Sequence, residues 1–116
     1  MATVTPTVVD ISKDDRVIMI TWALTSANTD GAPAEWCQFA DRTVTFTGTW
    51  GGATAALEGS NDGSTWIGLA DVQGTAITAT ANKIETAVEL TRYVRPNLTT
   101  AGVGATVSAT LIMRRS

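Results

Sequence analysis

The sequence predicts an all-β fold, a single antiparallel β-sandwich of jelly-roll or Greek-key kind with an extended N-terminal arm. Three observations lead there. Alternation of apolar and polar residues with a period of two, rich in Thr, Val and Ile, recurs along the chain. Sustained helical spacing is absent. The alternating runs are divided by clusters of Gly, Asn and Asp, which supply turns between strands. At 116 residues the chain has room for one hydrophobic core, so residues 15–116 are read as one domain behind an arm spanning 1–14.

Each element follows from its own pattern. In "RVIMITWALT" Ile18, Ile20, Trp22 and Leu24 share one face, and Val17, Met19, Thr21 and Ala23 share the other. Both faces are largely apolar, which predicts a central strand covered on both sides. "SANTDGAPA" is dense in turn residues and reads as the long surface loop. In "TVTFTGTW" Val44, Phe46 and Trp50 alternate with Thr43, Thr45, Thr47 and Thr49, a half-buried strand with an outer face of hydroxyls. Gly48 within it marks a bulge or a close contact. "KIETAVELT" fits both periods, but a helix so short is marginal alone, so a strand or irregular edge is expected. "RYVRPNL" offers Val94 and Leu98 to the core, and Pro96 places the end of that strand at an edge. In the last strand, "ATVSATLIMRR", Val107, Ala109, Leu111 and Met113 point inward while Thr106, Ser108 and Thr110 point outward.

"LEGSNDGSTWIGL" could be a calcium loop, a sugar-binding rim or a tight turn. The turn is favoured, because Asp62–Gly63 at a hairpin tip supplies the positive φ that a tight connection needs. Calcium would require about six oxygen ligands, and Glu58, Ser60, Asn61 and Asp62 lack the alternating acidic spacing. A sugar site would use Trp66 as a stacking platform beside Asn61 and Asp62. Among the four tryptophans, Trp22 reads as core, whereas Trp36 and Trp50 lie near loops and suit an interface.

Composition narrows the function classes. Charged residues make up 16% of the chain, below the roughly 25% of ordinary soluble domains, so part of the surface is expected to be covered. The net charge of −3 and the scattered arginines offer no stripe for a phosphate backbone, which argues against nucleic acid. Cys37 is the single cysteine and histidine is absent. No internal disulfide or cysteine-based zinc site can therefore form, and the commonest general base is missing. No metal ligand set, cofactor or catalytic residue is assigned, and the chain is read as no enzyme. No apolar run is long enough for a membrane helix, and "MATVTPTVVDISKDD" lacks signal-peptide features, so synthesis in the cytoplasm is expected.

The run "TFTGTWGGATAALEGSNDGSTWIGLADVQGTAIT", followed by "RYVRPNL" and "VSATLIMRR", resembles small β-sandwich structural proteins of tailed bacteriophages, of the head decoration or capsid cement type. The resemblance covers residues 42–113 and is carried by structural rather than catalytic motifs. It implies a virion protein on the capsid exterior that binds the assembled head, bridges neighbouring major capsid protein subunits and stabilises the shell. Self-association on the capsid lattice is expected with it. Candidate contacts are the arm at Val4, Val8 and Val9, the loop at Trp36, the turn at Trp50, and Arg92, Arg95, Arg114 and Arg115 facing capsid carboxylates. The alternatives are a phage tail or baseplate component and a carbohydrate-binding β-sandwich module.

Overall fold

The computed structural model describes residues 3–11, 16–35 and 38–115. Nine strands run in chain order: β1 (Thr7–Asp10), β2 (Val17–Thr25), β3 (Asp41–Thr49), β4 (Thr54–Ser60), β5 (Ile67–Gly68), β6 (Thr78–Ala79), β7 (Lys83–Ala87), β8 (Tyr93–Thr100) and β9 (Thr106–Arg114). They form two antiparallel sheets. The larger has the order β1-β2-β9-β3-β7. In the smaller, β4 pairs with β8 along one edge and with β5 and β6 along the other. The all-β, antiparallel sandwich is the architecture.

The inward faces are those that alternation predicts. Ile18, Ile20, Trp22 and Leu24 of β2, Val44 and Phe46 of β3, and Val107, Ala109, Leu111 and Met113 of β9 are all buried. They meet Ala55 and Leu57 of β4 and Val94 and Leu98 of β8 in one continuous core. Because side chains alternate with a period of two, a slip of one residue would turn this whole set outward. "KIETAVELT" resolves as strand through Ala87 and irregular beyond it.

Two expectations change. The other face of β2 is not covered among the described residues: Val17, Met19 and Thr21 are half-buried and Ala23 is exposed, since no further layer of those residues lies over it. The segment "SANTDGAPA" is also more than a surface loop. Gly31 N–H donates to Pro96 C=O, Leu98 N–H donates to Thr29 C=O, and Ala34 and Val94 exchange both of their bonds. This stretch therefore caps the free edge of β8, where the missing N–H of Pro96 costs the β4 ladder nothing.

Trp22 explains why the cap sits there. Its ring is fully buried, and its Nε1–H donates to Ala32 C=O at 2.9 Å, which satisfies the indole inside the core. Gly31 packs against the ring. A Cβ at that position would lie 2.6 Å from Trp22 Cδ1 and 2.7 Å from Pro96 Cδ. Gly48 serves a second close approach: with φ at 146° its backbone lies so near β9 that a Cβ would meet the Thr106 carbonyl oxygen at 2.0 Å. The close contact read from the sequence is the correct alternative.

Arg42 occupies an inward position of β3 and is buried. Its Nε–H donates to Phe39 C=O, and its Nη2–H donates to Thr91 C=O, each at 2.9 Å. The fixed fork of the guanidinium thus ties the approach to β3 to the approach to β8. A charged residue at an inward strand position is not what alternation predicts.

Replacing Gly31 by Ala is expected to destabilise the protein by about 1–3 kcal/mol through overpacking, read as a lower urea midpoint at unchanged slope. Arg42→Met is expected to cost more than Gly31→Ala in the same titration, because it removes the donors to the Phe39 and Thr91 carbonyls at a buried position.

Candidate interaction surface

Strand register builds one broad outer face on the five-stranded sheet. Thr7 pairs with Thr21, Thr21 with Thr110, Thr110 with Thr45, and Thr45 with Ile84. One row of hydroxyls therefore crosses four strands and ends on an isoleucine. The adjacent row runs Val9, Met19, Ile112, Thr43, Thr86. Thr43 and Thr86 share a hydroxyl hydrogen bond of 3.2 Å. A third row sets Ala23 beside Ser108 and Ser108 beside Thr47. Among the described residues, the charges on this face are Asp41 and Arg114 at one corner. Both Nε–H and Nη2–H of Arg114 donate to the same Asp41 oxygen, at 3.0 and 2.7 Å.

The smaller sheet is different. Its outer face carries Glu58, Arg95 and Asn97. Arg95 donates to Glu58 at 3.0 Å and lies over the Trp66 ring at 4.2 Å from its centroid, a cation–π contact. The two faces of the sandwich thus divide the chemistry: one is charged and internally paired, and the other presents methyls and hydroxyls.

The sequence-predicted contacts are scattered over both. Val8 and Val9 lie on β1 and are exposed, and Val9 belongs to the apolar row above. Val4 bridges to Gly31, packs against the core, and exchanges hydrogen bonds with Asp30 and Ala32. Thr7–Asp10 of the expected arm pair with β2 of their own chain. Trp36 lies outside the described residues. Trp50 packs partly against the core, and its Nε1–H donates to Asn82 Oδ1 at 3.0 Å. Arg92 pairs with Glu35, Arg95 with Glu58 and Arg114 with Asp41, while the Arg115 amide donates to Arg16 C=O. Three of the four arginines are thus matched to carboxylates of their own chain.

The hairpin "SNDGST" is the turn. Ser60 Oγ accepts from Gly63 N–H at 2.9 Å and donates to Asp62 Oδ1. The same Oδ1 accepts from Ser64 and Thr65 N–H, each at 2.8 Å. These bonds, Thr65 first, then Ser64, then the Ser60 hydroxyl, hold the Asp62 carboxyl well below the ordinary carboxylate range. Asn61 Oδ1 accepts from Arg92 N–H. A groove of about 380 Å³ runs beside the turn, lined by Gly59, Thr65, Ile67, Leu69, Glu89 and Thr91 among others. The polar groups that a sugar or calcium site would use are therefore engaged in shaping the chain itself. Among the described residues no cluster of three or more His, Cys, Asp or Glu is placed to hold a metal. Among the described residues no helix is long and apolar enough to cross a membrane.

Met19, Ile112 and the threonine rows were not singled out from sequence as contacts. The signal was present in the apolar second face of "RVIMITWALT". Such a pattern predicts a buried face, and the sequence does not say whether this chain supplies the cover.

No protein-family model matches the chain, and no curated protein matches it. Among solved structures, the chain is similar to a cupin domain from Bordetella pertussis, with a TM-score of 0.46 and 15% identity over 97% of this chain and 94% of that one. At that score no ligand, activity or partner is carried over.

Asp62→Ala is expected to lower the thermal midpoint, whereas Asp62→Asn, which keeps an acceptor oxygen, retains most of it. Because the folded pKa is lowered, the stabilisation by the charged form is fully present above the ordinary value of 3.8. It is lost as pH falls through the lowered folded value. The wild-type advantage over Asp62→Ala should therefore shrink on acidification below that ordinary value, as thermal melts across an acid series would register.

Proposed function

We propose that the chain is a structural subunit of the bacteriophage capsid-decoration type, which lays the outer face of its five-stranded sheet on the assembled head and stabilises the shell. The observation that carries this reading is the threonine-rich face, charged only at the Asp41–Arg114 corner among the described residues, with its Val9–Met19–Ile112 row, left open by a chain whose sequence asks for that face to be covered. Three strands of nine residues flanked by one of four and one of five, spaced by about 4.8 Å, give a face on the order of 600 Å². A standard protein interface takes roughly 800 Å² from each partner.

The chemistry suits docking on a repeating protein surface. Short threonine side chains lose little rotamer freedom when covered, and their methyls bury apolar area while the hydroxyls find acceptors. No charge need be stripped of water except the Asp41–Arg114 corner pair, which is already matched. A subunit that binds the assembled shell and not its free components shifts the equilibrium toward the shell by its differential affinity. The role is binding rather than catalysis, with the major capsid protein as partner and the capsid exterior as location.

The test is the abundance of this chain relative to the major shell protein in purified particles, measured by quantitative mass spectrometry. A ratio near that of the shell protein is expected, and a few copies per particle or none would overturn the proposal. Ile112→Glu, which puts a charge in the middle of the face, is expected to weaken shell binding by at least about tenfold, or 1.4 kcal/mol, with little change in thermal midpoint. Val72→Glu, on an exposed turn outside this face, should bind as wild type.

A further inference from the structure

We infer that β1 is a self-association edge, on which a second copy of this chain pairs its own β1 antiparallel, so that two five-stranded sheets become one continuous sheet across a two-fold axis. The argument starts from hydrogen-bond direction. Ile11 N–H donates to Val17 C=O at 3.1 Å, and the register pairs Val9 with Met19 and Thr7 with Thr21. In an antiparallel ladder hydrogen-bonded and non-hydrogen-bonded pairs alternate. The odd residues of β1 therefore bond inward to β2, and the N–H and C=O of Val8 point away from the sheet. Among the described residues nothing receives them, and Val8, Val9 and Ile11 are all substantially exposed, at 47%, 41% and 47%.

The opposite edge of the same sheet is guarded. Along β7, Lys83 and Glu85 form an ion pair at 3.7 Å. Ala87 bridges to Asp71, and Val88 N–H donates to Ala70 C=O. Charged side chains and a covering loop are the usual devices that keep a sheet edge from pairing. β1 is short and bounded by Pro6 and Asp10, but Thr7, Val8 and Val9 between them carry no charge and no bulge. The contrast within one sheet marks β1 as the edge left available.

Self-complementarity selects the occupant. Only residues whose polar backbone groups point outward can bond across the new ladder, so Val8 must lie opposite Val8 or Asp10 of the second copy. In either register the odd residues face one another on the outer face, with Val9 opposite Val9 or Thr7. The apolar row through Ile112, Met19 and Val9 is then joined to its symmetry mate. Side chains opposite each other in a ladder share a face, so the two outer faces look the same way. The proposed docking face doubles in area and becomes bivalent, which raises avidity on a lattice without any new kind of contact. The pairing deepens the decoration reading, yet it requires only the chain itself, so its test does not depend on the shell.

The test is sedimentation equilibrium of the purified chain with three sequences. Wild type is expected to be a dimer at high micromolar concentration. Val8→Pro removes an N–H that β2 does not use and is expected to be monomeric with an unchanged far-UV spectrum. Val9→Arg keeps every backbone group but brings like charges together near the axis, and is expected to dissociate at least about tenfold more readily. Should Val8→Pro fail to fold, Val9→Arg and the hydrogen exchange of the Val8 amide decide. That amide should be slow in the wild type and fast in Val9→Arg. A wild-type monomer, or a dimer that survives both substitutions, overturns the inference, and neither result bears on shell binding.

Discussion

The last strand, β9, is paired along nine residues with β2 on one side and along nine with β3 on the other, and the register of the larger sheet rests on those two ladders. Both place its inward residues, Val107, Ala109, Leu111 and Met113, against inward residues of its neighbours. A shift in either would bury threonines and expose the core, so the hydrophobic pattern sets the pairing. β2 and β9 stand at opposite ends of the chain. The sheet can form only after a long loop closes, and folding is expected to be governed by that non-local step.

The same two ladders create the outer face as a by-product of the inner one. Once the core residues point inward, Thr21, Thr110 and Thr45 must fall in one row and Met19, Ile112 and Thr43 in the next. The chain could have filled those positions with lysine and glutamate, as solvent-facing sheets commonly do. Instead the charges of its own strands fall at the Asp41–Arg114 corner or on the opposite side of the sheet, at Asp10, Arg42, Lys83 and Glu85, while Glu58 and Arg95 of the smaller sheet pair with each other. A face with few charges costs little to dehydrate, and the proposed docking and edge pairing both depend on that.

Loops in this small sandwich earn their conformation from side-chain acceptors and from close backbone approaches. Ser60 and Asp62 collect four backbone N–H groups of the hairpin. Asp71, buried near β7, accepts from Gln73 and Thr75. The Thr75 amide is the largest cause that holds its carboxyl below the ordinary range. Arg42 does the complementary work with carbonyls. Each buried polar side chain atom in the described residues has a partner, which a core of this size requires.

Period-two alternation by itself determined the all-β class and the inward set of β2, β3, β8 and β9, and turn chemistry determined the turn at Asp62–Gly63, while at Gly48 the sequence left a bulge and a close contact both open. These are local: a side chain's face follows from its place in the strand, and a turn from the φ its residues tolerate. What tertiary structure decided was non-local. The capping of β8 by residues 29–34, the burial of Arg42, the pairing of Arg92, Arg95 and Arg114 within the chain, and the open second face of β2 all depend on which strands become neighbours. Alternation states that a residue faces one side of a sheet. Only the packed arrangement states what, if anything, lies on that side.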